Sequence, residues 1–281
     1  MIKKVCVVGA GTMGSGIALC AAQHGYDTLL FDLSLSVLDK AQASMEKTWN
    51  TAVEKGKLTA EEKAIINTRL HYTNDIQDCT ASLIIEAIVE KYDVKQALFK
   101  QLAAINTQDT ILVSNTSSLS INLLQQTIPQ PQRFAGLHFF NPAHLMKLVE
   151  VVKGEQTDNE IMDHLTSFCH QLQKVPVVCK DAPGFIVNRV ARPYYLTAMR
   201  LVEAGLADME TIDALMENAG FRMGPFRLMD LIGNDINLAV SQSLHDAFDG
   251  EPRFEPNVLQ RELVQKGELG KKTGKGFYSY T

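Results

Sequence analysis

Short apolar runs alternate with helical patterns through the first part of the chain. The apolar run at residues 5–8 precedes a helical stretch that continues to Ala22, and a second run ends at Asp32. Similar runs recur at residues 82–87, 110–114, 134–138, 147–152 and 175–179. Between two of them, residues 91–105 carry a helical face made of Val94, Leu98, Leu102 and Ile105. Strands that alternate with helices predict an α/β fold with a doubly wound, mainly parallel sheet.

Residues 34–69 interrupt this alternation with two predicted helices. The first has apolar residues at helical spacing, namely Leu38, Ala41, Met45, Trp49 and Val53. The second begins with a capping box formed by Thr59 and Glu62. We therefore expect a helical insertion within the first domain.

The pattern changes after the pair Pro183-Gly184, which marks a domain boundary. Helical periodicity replaces strand-like alternation at residues 185–204, 208–219, 230–248 and 256–267. The chain is thus predicted to have a first domain at residues 1–183 and an all-helical domain at residues 184–281. A helical unit this small and apolar needs a partner surface, so we also expect the second domain to contribute to a substrate cleft and to a homodimer.

A glycine-rich turn connects the first predicted strand to the first predicted helix. It has the form GxGxxG, with Gly9, Gly11 and Gly14, and Asp32 ends the next strand 18 residues later. This context is typical of a Rossmann dinucleotide-binding unit, in which helix N–H groups face the pyrophosphate. Because Asp32 would accept hydrogen bonds from ribose hydroxyls and repel a 2′-phosphate, the expected cofactor is NAD. Thr12 and Met13, inside the turn, are assigned to the same cofactor site.

Composition and charge exclude several classes of function. The chain has 281 residues, is 46% hydrophobic and carries a net charge of -5 with mixed signs, so no basic face is available for nucleic acid. Its five cysteines have irregular spacing without a zinc pattern, which predicts thiols in a reducing compartment and no metal site. No apolar run approaches the roughly 20 residues that span a bilayer, and the first strand begins too early for a signal peptide. We expect a cytoplasmic protein with no membrane partner.

The stretch LHFFNP places a histidine, His138, at the end of an apolar run. Ligands in doubly wound sheets bind beyond the carboxyl ends of the strands, where His138 and residues 114–118 are predicted to lie. A histidine there could also be satisfied by a backbone carbonyl, so this residue alone does not decide the function.

Six motifs in order extend the evidence over essentially the whole chain. They are VVGAGTMGSGIA, EAIVEKYDVKQALF, SNTSSLSI, FAGLHFFNPAHLMKLVEVV, KDAPGFIVNRV and GKKTGKGFYSY. Together they resemble the short-chain L-3-hydroxyacyl-CoA dehydrogenases, including 3-hydroxybutyryl-CoA dehydrogenase. The resemblance implies NAD-dependent oxidation of a (3S)-3-hydroxyacyl-CoA to the 3-oxoacyl-CoA, and the reverse reaction, in fatty-acid or short-chain acyl-CoA metabolism.

The same resemblance assigns roles to individual residues. It makes His138 the general base, Glu150 its partner, and Ser117 and Asn188 the residues that position the substrate. It places Glu90, Lys95 and Asn115 near the nicotinamide, Lys272 near the cofactor, and Thr48 and Lys55 beside the CoA. Chemically the set is coherent, because imidazole exchanges protons near neutral pH and a carboxylate can orient it.

Three alternatives remain open at this point. Dehydrogenases of free 3-hydroxy acids share the glycine turn but carry an Asn-x-x-x-Lys motif. In this chain Asn188 is followed four residues later by Arg192, so an arginine replaces the lysine of that motif. A non-catalytic NAD-binding protein would be expected to lack the His138 and Glu150 pair. A 3-hydroxyadipyl-CoA dehydrogenase of aromatic-acid degradation would bind an acyl chain ending in a carboxylate, which could pair with Arg192, Arg222 or Arg227.

Overall fold

The computed structural model describes residues 2–280, which form two compact units divided between Ala182 and Pro183. The predicted α/β, doubly wound architecture followed by a helical domain is confirmed. The division lies one residue before the boundary that the sequence predicts.

The first unit contains eight strands among the described residues. Their bounds are β1 Lys4–Val8, β2 Asp27–Phe31, β3 Leu70–Thr73, β4 Leu83–Glu86, β5 Ile111–Ser114, β6 Phe134–Phe139, β7 Leu148–Lys153 and β8 Val175–Lys180. The helices between them are α1 Thr12–Gln23, α2 Leu35–Glu54, α3 Ala60–Asn67, α4 Tyr92–Ile105, α5 Ile121–Gln125 and α6 Asn159–Gln171. Sequence periodicity missed β3, because its four residues include a histidine and a tyrosine rather than an apolar run.

All eight strands form one sheet in the order β3-β2-β1-β4-β5-β6-β7-β8. Every neighbouring pair is parallel except β6 and β7, which are antiparallel. The strand order reverses at β1, which lies between β2 and β4. In sheets of this kind that reversal is where a ligand binds, beyond the carboxyl ends of the strands.

Alternate residues of β6 face opposite sides of the sheet, as strand geometry requires. Ala135, Leu137 and Phe139 join the core cluster that includes α1 and α6. On the other side Phe134 meets the ring of Phe99 from α4, with ring centroids 4.9 Å apart. His138 shares that second side of the strand with Phe134.

The predicted helical insertion forms α2 and α3, in the connection between β2 and β3. The apolar positions Leu38, Ala41, Met45 and Trp49 are buried against the core. The hydroxyl of Thr59 accepts a hydrogen bond from the backbone N–H of Glu62, whose carboxylate accepts one from the backbone N–H of Thr59, so the predicted capping box is present.

The second unit is helical. Its helices are α7 Val187–Glu203, α8 Met209–Asn218, α9 Pro225–Ile232, α10 Asn234–Ala247 and α11 Val258–Gln265. The prediction of one helix over residues 230–248 was wrong. Gly233 has a φ of +110°, which ends one helix and starts another, and the preceding helix begins earlier, with Pro225 in its first turn.

Two buried carboxylates hold the last residues of the described chain against this unit. Asp230 accepts hydrogen bonds from the backbone N–H groups of Phe277 and Tyr278 and from the hydroxyl of Tyr280. Asp213 accepts one from the hydroxyl of Tyr278. The tail is thereby fixed by charge-assisted hydrogen bonds rather than by apolar packing alone.

Other features of residues 2–280 bear on the sequence predictions. Each of the five cysteines has a free thiol. No helix in the described part combines the length and apolar character needed to span a bilayer. Within the same residues, no group of three or more His, Cys, Asp or Glu side chains is arranged to hold a metal ion.

Candidate active site

The glycine turn fits tightly between the ends of β1 and β4. Gly9 has a φ of +105°, and a Cβ added there would lie 2.6 Å from the carbonyl oxygen of Ala87. A Cβ at Gly14 would lie 1.7 Å from the carbonyl oxygen of Gly9. Both positions therefore require glycine, because any side chain would collide with the backbone of the protein itself.

Gly11 differs from the other two glycines. It is exposed, and a Cβ added there would have no described atom within 4 Å. Packing within the first unit thus does not explain this glycine, whereas close approach of a ligand to the backbone does. Thr12 and Met13 follow in the first turn of α1, whose unpaired N–H groups can receive a pyrophosphate. The turn fits the phosphates of NAD.

Asp32 lies directly after β2, beside the glycine turn. One carboxylate oxygen accepts a hydrogen bond from the backbone N–H of Ala10 at 2.9 Å. The other accepts one from the backbone N–H of Ser34 at 3.0 Å. Each oxygen keeps a further acceptor site. The carboxylate is therefore held in place with capacity left for ribose hydroxyls.

His138 and Glu150 face each other across the antiparallel junction of the sheet. They are directly paired residues of β6 and β7. Nδ1 of His138 lies 2.7 Å from Oε2 of Glu150, with His138 6% and Glu150 1% exposed. If Nδ1 carries the proton donated to Glu150, Nε2 holds the lone pair that a general base needs.

Two neighbours fix the surroundings of this pair. The ring of Phe140 lies 4.5 Å from the imidazole, centroid to centroid. The side-chain oxygen of Asn115 accepts a hydrogen bond from the backbone N–H of Phe139 at 2.8 Å. Asn115, at the end of β5, is thus brought next to His138.

An ion cluster adjoins the loop at residues 115–118, with Lys95 and Glu86 buried and Glu90 partly exposed. Lys95, 1% exposed, contacts Glu86 at 2.5 Å and Glu90 at 3.1 Å. Glu86 also accepts hydrogen bonds from the hydroxyl of Ser114 at 2.6 Å and the backbone N–H of Ile88 at 2.7 Å. The cluster joins the ends of β4 and β5 to the first turns of α4.

Glu90 connects this cluster to the predicted substrate loop. Its carboxylate accepts hydrogen bonds from the hydroxyl of Thr116 and, at 2.9 Å, from the backbone N–H of Ser117. Three predicted site residues, Glu90, Lys95 and Ser117, are therefore linked through one network.

The two carboxylates of the cluster respond differently to their surroundings. Burial raises the pKa of Glu86, and Lys95 opposes this without overcoming it. Burial also acts to raise the pKa of Glu90, but Lys95 and the hydrogen bonds from Thr116 and Ser117 outweigh it, so the pKa is lowered. Glu90 is thus held as a carboxylate.

The remaining predicted site residues lie elsewhere. Thr48 is half-buried on α2, where its hydroxyl donates to the carbonyl of Ser44, and Lys55 is exposed immediately after that helix. Asn188 belongs to the first turn of α7 in the second unit. Lys272, also in that unit, donates to both carboxylate oxygens of Asp235 at 2.6 and 2.7 Å.

Sequence reasoning missed Glu86 and Thr116 as parts of the site. Glu86 is fully buried at the end of β4, and Thr116 is fully buried in the loop that follows β5. An acid that ends an apolar strand run, with a lysine one helical turn into the next helix, is a signal that could have indicated the ion cluster.

Comparison with known proteins agrees with this geometry. Residues 4–182 match the family described as 3-hydroxyacyl-CoA dehydrogenase, NAD binding domain. Residues 184–280 match 3-hydroxyacyl-CoA dehydrogenase, C-terminal domain. The chain belongs to the 3-hydroxyacyl-CoA dehydrogenase family. The predicted resemblance and the NAD cofactor are therefore confirmed.

Individual relatives are similar over the whole chain. The 3-hydroxyadipyl-CoA dehydrogenase of Escherichia coli K12 is 49% identical over 99% of this chain and 59% of its own length. A probable 3-hydroxybutyryl-CoA dehydrogenase of Deinococcus radiodurans is 42% identical over 99% of this chain and 100% of its own. The solved structure of an E. coli 3-hydroxybutyryl-CoA dehydrogenase has a TM-score of 0.96 at 48% identity, covering 100% of this chain and 60% of that one. This chain thus spans about three fifths of the length of the E. coli relatives.

Proposed function

We propose that the chain oxidises (3S)-3-hydroxyacyl-CoA thioesters to 3-oxoacyl-CoA with NAD, and catalyses the reverse reaction, with 3-hydroxybutyryl-CoA among its substrates. The observation that carries this proposal is the buried pair of His138 and Glu150 at the carboxyl end of β6. Family membership and the activities named for the relatives support the same reaction.

His138 is the proposed general base. When bound in the glycine turn and beside Asp32, NAD would supply the acceptor for the hydride that leaves C3 of the substrate. As that hydride leaves, Nε2 of His138 takes the proton of the C3 hydroxyl, and in the reverse direction it returns the proton to the C3 oxygen. Glu150 fixes the ring through Nδ1 and stabilises the imidazolium that forms, an interaction strengthened by the burial of both groups.

Ser117 and Asn188 are the proposed substrate-positioning residues. A serine hydroxyl can donate to the C3 oxygen, and an asparagine amide can donate to the same oxygen or to the thioester carbonyl. The hydrogen bond from the backbone of Ser117 to Glu90 supports this role, because it restricts the loop that carries the hydroxyl.

We assign the cofactor contacts from one end of NAD to the other. The glycine turn with Thr12 and Met13 receives the pyrophosphate, and Asp32 receives the adenosine ribose. Asn115 is assigned to the nicotinamide end, where its amide nitrogen can still donate. Glu90 and Lys95 support that end by holding the adjoining loop. Lys272 has one donor N–H beyond the two that it gives to Asp235, and it is assigned to the cofactor through that group.

Thr48 and Lys55 are the proposed contacts of the CoA moiety. Lys55 offers an exposed ammonium at the end of α2, whereas the nearby Lys63 is engaged by Asn50 at 2.6 Å. An ammonium near a phosphate acts largely as a point charge, so Lys47 or Lys57 could share the role.

A homodimer and a cytoplasmic location complete the proposal. The dimer is supported by large apolar side chains that the helical unit leaves exposed, among them Val190, Leu206 and Leu215, which are 71%, 74% and 63% exposed. The location is supported by the free cysteines.

The test of the proposed function is oxidation of NADH in the presence of acetoacetyl-CoA, measured by the loss of NADH absorbance. We expect turnover with the CoA thioester and little with free acetoacetate. Turnover with the free acid alone would favour the hydroxy-acid dehydrogenases instead. NADH binding without turnover of either compound would favour a non-catalytic NAD-binding protein.

A further inference from the structure

The loop that carries Ser117 is fixed near its start by two contacts. Its first residue, Asn115, accepts a hydrogen bond from the backbone N–H of Phe139, next to His138. The carboxylate of Glu90 accepts one from the backbone N–H of Ser117 at 2.9 Å. A loop held at one end retains conformational freedom beyond that end. The contacts at its other end therefore help to decide where the serine hydroxyl lies.

Two side chains hold the other end of this loop at Ser120. The hydroxyl of Tyr92, at the start of α4, accepts a hydrogen bond from the backbone N–H of Ser120 at 2.6 Å. A carboxylate oxygen of Asp181 accepts one from the hydroxyl of Ser120, also at 2.6 Å. The same oxygen accepts one from the backbone N–H of Asn122, in the first turn of α5, at 2.9 Å. Both donors of Ser120 are thus engaged.

Asp181 is itself anchored to the sheet. It follows directly after β8, and its backbone N–H donates to the carbonyl of Lys153, at the end of β7, at 3.0 Å. Asn122 makes a second connection nearby, because its side-chain oxygen accepts a hydrogen bond from the backbone N–H of Glu155 at 2.8 Å. Since the carboxylate of Asp181 is partly buried, water weakens its charge-assisted hydrogen bonds less than it would at the surface. Asp181 therefore ties the end of the loop to a rigid element.

The loop between the two anchored ends is compact. Ser120 follows Ser117 by three residues, so their α-carbons lie within about 11 Å of each other. The hydroxyl oxygen of Thr116 accepts a hydrogen bond from the backbone N–H of Leu119 at 2.8 Å, which closes a turn around Ser117. A displacement of Ser120 would therefore be passed on to Ser117 rather than absorbed by slack chain.

We propose that Asp181 is a positioning residue of the reaction. By holding Ser120 it fixes the loop so that the hydroxyl of Ser117 meets the C3 oxygen of the substrate, and Tyr92 assists from α4. This inference rests on the proposed function, in which Ser117 contacts that oxygen. It adds a residue that acts through Ser117 rather than on the substrate directly.

A purely structural role for Asp181 makes a different prediction. If its hydrogen bonds only stabilised the fold, their loss would affect the enzyme equally with and without the hydroxyl of Ser117. A positioning role loses its effect once that hydroxyl is removed, because nothing is then left to position. Two substitutions that act through one group are not additive, and a double-mutant cycle measures this.

The test is such a cycle, measured with acetoacetyl-CoA and NADH for wild type, Asp181→Asn, Ser117→Ala and the double variant. Asp181→Asn keeps the size of the side chain and replaces a charged acceptor by a neutral amide. It should lower kcat by about 5- to 50-fold, because a misplacement of about 1 Å can cost 10²-fold while Glu90 still holds the start of the loop. KM for NADH should change by less than about 2-fold, and so should kcat when Asp181→Asn is added to Ser117→Ala.

Three further variants control the cycle. Ser120→Ala removes the hydroxyl that donates to Asp181 and should reproduce the loss of kcat. Ser120→Thr keeps a hydroxyl and should retain most of the turnover. Asp208→Asn is the matched control, because the carboxylate of Asp208 accepts a hydrogen bond from the backbone N–H of Thr211 at the start of α8. It should leave kcat unchanged.

Two outcomes would overturn the assignment. Equal fold losses from Asp181→Asn with and without the hydroxyl of Ser117 would make Asp181 structural. A kcat of Asp181→Asn equal to that of wild type would remove its role altogether. If circular dichroism shows that Asp181→Asn does not fold, Ser120→Ala takes its place in the cycle and is judged by the same two outcomes.

Failure of this inference can be distinguished from failure of the proposed function. Turnover by wild type, with Ser117→Ala impaired and Asp181→Asn unimpaired, would leave the reaction in place and remove only the role of Asp181. Full turnover by Ser117→Ala would remove the role assigned to Ser117 and this inference with it. No turnover of acetoacetyl-CoA by wild type would remove the proposed reaction itself.

Discussion

At the scale of single residues, the position of a side chain in the sheet determines what it can do. His138 and Glu150 are directly opposed on antiparallel strands, where side chains on one face come closest. A shift of one residue in register would move one of them to the other face of the sheet. The register of β6 and β7 is therefore a condition for the proposed chemistry.

Asp32 provides a prediction about cofactor choice. Its carboxylate should make NADH strongly preferred to NADPH, because a 2′-phosphate would meet a negative charge. Replacing Asp32 with Ala should narrow the preference and raise KM for NADH by about 10-fold or more, since hydrogen bonds to ribose and to the turn are lost together. Steady-state kinetics with both cofactors measure the effect.

Asp27 offers a matched control for this experiment. It lies at the opposite end of β2, exposed and 3.0 Å from His71. Asp27→Ala should leave both KM values unchanged. Similar efficiencies of wild type with NADH and NADPH would show that the role assigned to Asp32 is wrong.

At the scale of elements, the ion cluster of Glu86, Lys95 and Glu90 holds β4, α4 and the loop after β5 together. The contribution of this cluster to the free energy of unfolding depends on pH, because the pKa values of Glu86 and Glu90 are both shifted by folding. Glu90, whose pKa is lowered, stabilises the fold above its unfolded pKa, and this contribution is lost as the pH falls through the folded value. The pKa of Glu86 is raised in the folded state. Its ionisation therefore lowers the free energy of unfolding as the pH rises from its unfolded pKa to its folded pKa.

Lys95→Met tests this account of the cluster. Removing the cation leaves two carboxylates without a counter-charge, so the free energy of unfolding near pH 7 should fall by about 3–5 kcal/mol. The deficit should shrink toward pH 4.5, where Glu86 can take up a proton. Urea unfolding at both pH values measures it. Lys91 is exposed just before the same helix, so the control variant Lys91→Met should change the free energy of unfolding little. A stability deficit for Lys95→Met that does not depend on pH would contradict the account.

How far the elements could be predicted depends on what their residues encode locally. The glycine turn and the capping box at Thr59 are local signals, and both were predicted. The break at Gly233 was missed because a single glycine inside a helical pattern does not reveal a positive φ. The direction of Glu150 could not be read from the run LVEVV, in which apolar residues occur on both faces, because pairing with β6 determines it.

The site was predictable from sequence only in its outline. The His138 and Glu150 contact followed from the resemblance, and the structure provides the distance between them. The roles of Ser117 and Asn188 remain predictions. Arg192 is buried, at 3% exposed. Its burial could not be predicted, because an arginine near the start of a helix is most often on the surface.

At the scale of the whole molecule, each unit has its own core. The first unit buries both faces of its central strands β1, β4, β5 and β6. The second packs Leu196, Met199, Phe226 and Met229 between its helices. The helical unit nevertheless leaves several large apolar side chains exposed. Such surface on a small helical unit favours association.

The proposed homodimer predicts a particular mass in solution. Light scattering after size-exclusion chromatography should give twice the 31.1 kDa of one chain at micromolar concentration and neutral pH. The same mass should persist at high salt, because apolar contacts are not screened by ions. A mass equal to one chain over the whole concentration range would contradict the proposed homodimer.

The central claim is that His138, oriented by Glu150, moves the proton at C3. The most direct measurement is turnover of acetoacetyl-CoA and NADH by His138→Gln, with His164→Gln as control, since His164 forms an exposed pair with Glu160 on α6. Turnover of His138→Gln should fall by roughly 10²- to 10⁴-fold with little change in NADH affinity. The total loss in the double variant His138→Gln/Glu150→Gln should be much smaller than the product of the two single losses, because the pair acts as one unit. The control should keep its activity. If His138→Gln retains most of its turnover, the proton moves through another group and the account is wrong.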